Sequence, residues 1–327
     1  MPANNGDIRW LEAAARLALR ARPLARPNPA VGCIIVRGGI AVGRGWTLPG
    51  GRPHAEAVAL AEAGAMARGA TIYVTLEPCA HVSPRGPACA DSILAAHPAR
   101  VVVGCRDPDP RTAGAGMARL RDAGIVVDLL DSASSRASLA GYLARARLGR
   151  PYVTLKLATS LDGCIALKDG TSRWITGEPA RAHVHSRRAL ADAILVGGGT
   201  WRADAPRLDV RLPGLASHSP RRLVLTRGAA PEGTEAIAAP AAIAGLRDCQ
   251  YLYLEGGAKA AAAFLAADLV DRIELYQAPI VVGNGRRALD DLGLASLAEA
   301  HDRWQPADSR MLGSDRFTAY QRRRQED

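Results

Sequence analysis

The chain reads Pro53-His54-Ala55-Glu56 in its first third, then Leu76-Glu77-Pro78-Cys79, then Cys89. One imidazole and two thiolates supply three zinc ligands and leave the fourth tetrahedral position open, as a catalytic zinc site requires. Zinc in such a site acidifies a water, and Glu56, two residues after the histidine, can take the proton and deliver it to a leaving group. We therefore predict that His54, Cys79 and Cys89 bind zinc and that Glu56 is catalytic.

The hydrophobic pattern supports this assignment by placing the three ligands at the ends of regular elements. His54 would begin a helix, Cys79 would follow a buried strand, and Cys89 would begin another helix, where the positive end of the dipole favours a thiolate. The order His-x-Glu, Pro-Cys, Cys is typical of zinc deaminases, although here nine residues instead of two separate the cysteines. His81 is an alternative ligand, but it lies only two residues from Cys79 in a loop.

Outward from these motifs, helical and strand periods alternate through the first half of the chain. Strands are predicted over 31–36, 71–76, 101–104 and 125–130, and helices over 8–21, 54–67, 89–97 and 114–123. This alternation indicates an α/β layered domain with a largely buried sheet.

A second alternating series follows the arginine-rich segment that ends in Gly149-Arg150-Pro151. Strands are predicted near 152–159, 193–197, 222–226, 250–254 and 272–277, and helices near 178–190 and 257–267. The stretch 228–247, rich in Gly, Pro and Ala, is interpreted as a surface excursion. A chain of 327 residues exceeds the usual size of one hydrophobic core, so we expect two domains, 1–148 and 149–327.

Composition excludes several classes of protein. A hydrophobic fraction of 48% and a charged fraction of 23% are those of a globular protein, not of a disordered one. The net charge of +10 comes from arginines scattered through both halves, without a basic stripe, so no nucleic-acid partner is expected. Six dispersed cysteines do not form a disulfide scaffold, and charged residues interrupt every long apolar run. We expect a cytoplasmic protein outside any membrane.

A polar loop precedes the zinc motif. It reads Arg26-Pro27-Asn28-Pro29, and Gly43-Arg44-Gly45-Trp46-Thr47 follows it. Asn28 can present a donor and an acceptor to a polar ring, on a loop that the prolines fix. On composition alone, a turn-forming role for Asn28 is favoured over a binding role.

In the second half no Gly-x-Gly-x-x-Gly follows a strand, so an ordinary Rossmann domain is disfavoured. Two other glycine-rich strings do follow predicted strands. Gly197-Gly198-Gly199-Thr200 offers backbone N–H groups and a hydroxyl, and Glu255-Gly256-Gly257 opens a helix where a phosphate can bind.

Taken in order, these strings resemble the bifunctional deaminase and reductase family of riboflavin biosynthesis, from about residue 8 to about residue 320. The supporting strings are Arg-Pro-Asn-Pro at 26–29, Pro-His-Ala-Glu at 53–56, Leu-Glu-Pro-Cys-Ala-His at 76–81, Asp107-Pro-Asp-Pro110, Gly149-Arg-Pro-Tyr-Val, Leu155-Lys-Leu-Ala-Thr-Ser-Leu-Asp-Gly163, Trp174-Ile-Thr-Gly177, Asp192-Ala-Ile-Leu-Val196 and Leu254-Glu-Gly-Gly257. The resemblance implies a cytidine-deaminase-like three-layer domain followed by a dihydrofolate-reductase-like α/β domain.

The resemblance also implies two reactions and their cofactors, zinc and NADPH. A diaminopyrimidinone with a phosphoribosylamino group loses its 2-amino group, and the ribosyl group is then reduced to ribityl. The residues expected beside NADPH are Ala158, Trp174, Thr200, Asp204, Gly256 and Gly257. The residues expected beside the substrates are Asn28, Arg85, Ser172, Arg188, Leu208, Arg211 and Glu255. A homo-oligomer is also implied.

The chain departs from the family pattern at three places. Thr47 stands where the family often has histidine, and Ala205 replaces an acidic residue. The loop between Cys79 and Cys89 is one residue longer than usual, with Arg85 near the position of a family lysine. Two alternatives therefore stay open: a reductase whose deaminase is impaired, and a basic nucleic-acid-binding module with a structural zinc.

The role of Asp162 also stays open, because it could be a turn residue or a site carboxylate.

Overall fold

The computed structural model describes residues 5–81 and 83–324. The chain divides into two compact units, Met1–Gly149 and Arg150–Asp327. In the described ranges, none of the helices combines the length and the apolar character that crossing a membrane demands.

The first unit contains a five-stranded sheet in the order β2-β1-β3-β4-β5. Its strands are β1 (Gly32–Arg37), β2 (Ile40–Trp46), β3 (Thr71–Val74), β4 (Arg100–Val103) and β5 (Val126–Leu129). Strand β1 is antiparallel to both β2 and β3, whereas β3, β4 and β5 are parallel to one another.

Helices cover both faces of this sheet. They are α1 (Asn5–Ala18), α2 (Ala55–Ala63), α3 (Cys89–Ala96), α4 (Ala115–Asp122), α5 (Ala133–Ser138) and α6 (Ala140–Leu148). Because side chains alternate along a strand, Ile35 of β1 packs in the cluster that contains Ala59 of α2, and Ile34 packs with Leu11 of α1. The result is a helix–sheet–helix sandwich.

The second unit is built on an eight-stranded sheet in the order β10-β9-β8-β11-β6-β12-β15-β14, beside a two-stranded sheet of β13 and β7. Its strands are β6 (Tyr152–Thr159), β7 (Cys164–Ala166), β8 (Ala193–Gly197), β9 (Arg221–Leu225), β10 (Glu235–Ile237), β11 (Tyr251–Leu254), β12 (Arg272–Gln277), β13 (Arg286–Arg287), β14 (Trp304–Leu312) and β15 (Asp315–Arg322). The eight-stranded sheet is parallel from β10 to β12, and β15 and β14 extend it in antiparallel fashion.

Between residues 150 and 324, the α-helices are α7 (Glu178–Arg188), α8 (Gly198–Asp204) and α9 (Ala258–Ala266). Phe264 of α9 is buried in the cluster with Leu155 and Leu254 on one face of the sheet. Val184 of α7 packs with Ile194 and Tyr253 on the other face.

The structure corrects the predicted elements at several places. Strands β2, β7, β10, β13, β14 and β15 and helices α5, α6 and α8 were not expected. Strand β2 carries Gly43 and Gly45 where a Cβ would run into the backbone of α2, so glycine, a poor strand former, is required by close packing. The stretch 228–247 is largely exposed, as the interpretation of a surface excursion requires, but it is not without regular structure, because β10 pairs with β9, and Ile237 and Ile243 lie in the core.

Candidate active sites

The first unit brings His54, Cys79 and Cys89 together although they come from three different elements. His54 immediately precedes α2 in extended backbone, Cys79 lies in the loop after β3, and Cys89 is the first residue of α3. His54 Nδ1 lies 3.1 Å from Cys89 Sγ and 3.7 Å from Cys79 Sγ. All three ligand atoms lie within 4.8 Å of one another.

These distances fit a zinc ion. Tetrahedral ligands with ordinary Zn–N and Zn–S bonds stand about 3.5 Å apart. Within 5–81 and 83–324, the structure brings together one group of three or more potential metal ligands. It consists of these three residues and does not include His81. A structural zinc site closes with four protein ligands, whereas this group supplies three and leaves one position for a reactant.

The local electrostatics favour a thiolate at Cys79. The backbone N–H of Cys89 donates to Cys79 Sγ at 3.3 Å, as expected at the first turn of a helix. Hydrogen bonds from the Cys89 and His54 side chains, working against burial, lower the pKa of Cys79 to about 4. A thiolate is the form that binds a metal.

Glu56 lies in the first turn of α2 with only 3% of its surface exposed. Burial raises the pKa of its carboxyl group, although His54 opposes the shift. A carboxyl group with a raised pKa can both accept and return a proton near neutral pH.

Glu77 has a structural role that the sequence did not reveal. Its Oε1 accepts hydrogen bonds from the backbone of Gly116 and Met117, at 3.1 and 3.3 Å, and Oε2 from Gly114 and Asp107, at 3.0 and 3.3 Å. The carboxylate therefore ties the turn that carries Cys79 to the start of α4. A charged residue directly after a buried strand, two positions before a ligand, is the signal that could have identified it.

Two predicted substrate residues meet the loop that leads into His54. The Asn28 amide donates from Nδ2 to the carbonyl of Gly51 at 3.0 Å, and the exposed Arg85 donates from Nη2 to the carbonyl of Gly50 at 2.7 Å. Both side chains thus contact the loop that immediately precedes His54.

In the second unit, the predicted residues collect where the parallel strands end. Ala158 lies near the end of β6, Thr200 in the first turn of α8 after β8, and Glu255 directly after β11. The carboxyl ends of parallel strands are the usual ligand edge of such a sheet.

Arg188 and Glu255 form a bidentate ion pair in this edge, with N–O distances of 2.6 and 2.8 Å. Lys156 of β6 lies beside them, its Nζ 3.9 Å from Glu255 Oε2. Lys156 is not among the site residues predicted from the sequence. Its signal was a single cation inside an otherwise apolar, buried strand.

Glycines let α8 and α9 approach each other closely at the same edge. The N–H of Gly257, which precedes α9, donates to Thr200 Oγ1 at 3.0 Å, so α8 and α9 meet there. A Cβ on Gly257 would lie 2.8 Å from that oxygen, and a Cβ on Gly256 would lie 2.9 Å from Ala260 Cβ. Bare backbone at two helix starts fits the phosphates of a dinucleotide.

Three other predicted residues, Trp174, Asp204 and Ser172, differ in their exposure and contacts. The Trp174 ring is 63% exposed, with the Arg181 guanidinium carbon 4.7 Å from its centroid. Asp204 ends α8, and its carbonyl accepts a weak hydrogen bond from Arg173 at 3.4 Å. Ser172 belongs to the segment that joins β7 to α7 along the chain, and it is partly buried.

Three further candidate residues, Leu208, Arg211 and Asp162, lie in different surroundings. Leu208 is only 3% exposed and belongs to the core, so its side chain offers little surface to a ligand. Arg211 is exposed and pairs with Asp209 at 3.4 Å. Asp162 accepts from the N–H groups of Val282 and Gly283, at 3.1 and 2.7 Å, so its carboxylate acts as a tether between loops.

Comparison with known proteins agrees with this geometry. Residues 4–105 match the family described as the cytidine and deoxycytidylate deaminase zinc-binding region, and residues 151–244 and 236–317 match the RibD C-terminal domain. The riboflavin biosynthesis protein RibD of Haemophilus influenzae is 36% identical over 94% of this chain and 95% of its own.

Two solved structures extend the similarity to the whole fold. RibD of Acinetobacter baumannii, form 1, superposes with a TM-score of 0.83 at 32% identity, covering 98% of this chain and 99% of its own. The diaminohydroxyphosphoribosylaminopyrimidine deaminase/5-amino-6-(5-phosphoribosylamino)uracil reductase of Thermotoga maritima gives 0.85 at 28% identity, covering 97% and 99%. The chain therefore belongs to the RibD family of riboflavin biosynthesis enzymes, which combine a zinc-binding deaminase domain with a reductase domain.

Proposed function

We propose that this chain carries out two consecutive reactions. The unit predicted as 1–148 removes the 2-amino group of 2,5-diamino-6-(5-phosphoribosylamino)pyrimidin-4(3H)-one by hydrolysis. The unit predicted as 149–327 then reduces the ribosyl group of the resulting uracil to ribityl with NADPH. The observation that carries the proposal is the open three-ligand group of His54, Cys79 and Cys89 beside the buried Glu56.

In the deaminase, His54, Cys79 and Cys89 would hold zinc, which supplies the acidification of water. Glu56 would take the proton and deliver it to the departing ammonia, consistent with its burial and raised pKa. Asn28 would contact the pyrimidine. Arg85 would offer its charge to the phosphate of the substrate.

In the reductase, Glu255, Arg188 and Lys156 would border the phosphoribosyl substrate, with Ser172, Leu208 and Arg211 around them. The hydride comes from NADPH when it is bound. Its phosphates would lie at Thr200, Gly256 and Gly257, with Ala158, Trp174 and Asp204 beside the rest of the dinucleotide. Backbone N–H groups at a helix start can bind phosphate, and the position of these residues at the starts of α8 and α9 supports this placement.

The test follows NADPH oxidation by the zinc-loaded chain with the diaminopyrimidinone and, in parallel, with the deaminated uracil compound. We expect oxidation with both. Oxidation with the uracil compound alone would contradict the deaminase assignment, and silence with both would contradict the whole proposal.

Glu56→Gln isolates the deaminase. We expect ammonia release to fall by at least about a hundredfold, because general acid–base groups contribute about 10²–10⁴-fold, while oxidation with the uracil compound continues. Glu62→Gln is the matched control, since Glu62 lies on the same helix but pairs with Arg44 at the surface. Normal deamination by Glu56→Gln would show that the proton is moved by another group.

We also propose that the chain acts in the cytoplasm as a homo-oligomer whose partners are small molecules and not nucleic acid. The six cysteines, all among the described residues, form no disulfide, which suits a reducing compartment. Light scattering on the purified chain would contradict the oligomer if it gave the monomer mass of 34.3 kDa.

A further inference from the structure

Thr47 lies directly after β2 and is only 1% exposed. Its hydroxyl donates to the carbonyl of Pro29 at 3.0 Å and accepts from the N–H of Val31 at 3.0 Å. Its own N–H donates to the carbonyl of Val31 at 3.1 Å. Thr47 therefore binds the segment Pro29–Val31 on both sides of Ala30, and its hydroxyl is engaged by the protein backbone.

The segment that Thr47 holds begins at the residue after Asn28. The Asn28 amide reaches the carbonyl of Gly51, three residues before His54. The fit there is close, because a Cβ on Gly51 would lie 2.5 Å from Asn28 Cγ, and Gly51 has a φ of +81°. A continuous set of contacts thus runs from Thr47 through Pro29–Val31 and Asn28 to the loop that ends at His54.

A hydroxyl is the group that this position requires. Val31 is only 7% exposed. An isosteric valine at position 47 would therefore leave the N–H of Val31 buried and without a hydrogen-bond partner. Leaving a buried donor without a partner destabilises the structure around it. The segment would shift to find another partner, and Asn28 would move with it.

We propose that Thr47 is a positioning residue of the deaminase. Its hydroxyl fixes the Asn28 amide beside the loop that ends at His54, and this contact sets the affinity for the pyrimidine. This inference rests on the proposed function, since it requires a pyrimidine bound next to the metal ligands. Thr47 acts through Asn28 and does not touch the substrate.

The test compares Thr47→Val with Thr47→Ser, because serine keeps the hydroxyl and loses only the methyl group. For Thr47→Val we expect the KM of ammonia release to rise about tenfold, as loss of one such contact predicts, with kcat changed less than about twofold. Thr47→Ser should stay within about twofold of the unaltered chain in both constants. Calorimetric titration of the diaminopyrimidinone into Glu56→Gln, with and without Thr47→Val, should give the same tenfold loss at equilibrium.

A double-variant cycle then tests whether Thr47 acts through Asn28. If it does, adding Thr47→Val to Asn28→Ala should weaken binding no further than Asn28→Ala alone. Additive losses would overturn the proposal, and so would an equal loss in Thr47→Ser or unchanged binding in Thr47→Val. Loss of zinc from Thr47→Val would also overturn it, because the hydroxyl would then be maintaining the metal site.

The unaltered chain separates this inference from the proposed function. If zinc-loaded protein without substitutions releases no ammonia, the proposed function has failed before any variant is compared. NADPH oxidation with the uracil compound should be equal in all Thr47 variants, since the reaction belongs to the other unit.

Discussion

The Arg188 guanidinium donates from Nε and Nη2 to the two carboxylate oxygens of Glu255, and from Nη1 to the carbonyl of Asp209 at 2.9 Å. The two side chains of the pair are only 10% and 11% exposed. Burial works to raise the pKa of Glu255, but Arg188 and Lys156 outweigh it and lower that pKa, so the carboxylate stays ionised. The planar fork of arginine is therefore committed to a fixed orientation.

Arg188→Lys keeps the positive charge but cannot reproduce this geometry. We expect kcat/KM for NADPH oxidation with the uracil compound to fall by about 10–100-fold, in line with the loss of a charged hydrogen bond. Ammonia release by the same variant is the internal control and should not change. Wild-type reduction by Arg188→Lys would show that charge alone suffices at this position.

The environment of Lys156 predicts a distinct pH dependence for the reductase. Burial favours the neutral amine and lowers the pKa of Lys156, although Glu255 opposes the shift. The ammonium therefore loses its proton, as the pH rises, below the usual lysine value of about 10.4. If the charged form supports reduction, NADPH oxidation should decline in that alkaline range.

Lys156→Arg removes this titration, because arginine stays protonated throughout. Its pH–rate profile, normalised to its own maximum, should stay flat where that of the unaltered chain declines. Lys259→Arg, an exposed site on α9, is the matched control and should keep the decline. A decline in Lys156→Arg at the same pH would assign the titration to another group.

Much of this organisation could be predicted from the sequence. The cytidine-deaminase-like fold of the first unit and the α/β fold of the second are confirmed, as is the family with its two activities, because ordered motifs survive where overall similarity is modest. Strands β6, β8 and β12 match their predicted bounds. Strand β8 is a buried parallel strand with a continuous apolar run, whereas β6 and β12 carry apolar residues at alternate positions.

The elements that sequence reasoning missed have weaker local signals. Strand β14 forms the edge of its sheet and is largely exposed. It has a Pro, an Asp and an Arg among its residues, so it lacks an apolar run. Helix α8 begins with Gly198 and Gly199, which intrinsic propensity disfavours. The tethers made by Glu77 and Thr47 join residues far apart in the chain, and no local spacing indicates them.

Zinc removal should separate the two activities. A chelator such as dipicolinate should abolish ammonia release, because His54, Cys79 and Cys89 lie in the first unit. NADPH oxidation with the uracil compound should continue, and added zinc should restore ammonia release. Ammonia release that persists after the zinc content has fallen below detection would contradict a metal-dependent deaminase.

Gly116 tests how firmly α4 holds the turn that carries Cys79. A Cβ at this position would run into the carbonyl of Pro78, and Gly116 also donates its N–H to Glu77. Backbone cannot yield as a flexible side chain can, so in Gly116→Ala either α4 or the turn must move. We expect the affinity for zinc, measured by competition with a chromogenic chelator, to fall by at least about tenfold, as loss of the outer contacts that orient a ligand predicts.

Ala118→Gly supplies the matched control for this prediction. It lies on the same helix at an exposed position and should weaken α4 by about 1 kcal/mol through helix propensity alone. Zinc affinity should be unchanged in Ala118→Gly if the contact between Gly116 and Pro78 is what matters. Equal losses in the two variants would mean that α4 stability in general, and not this close approach, keeps Cys79 in place.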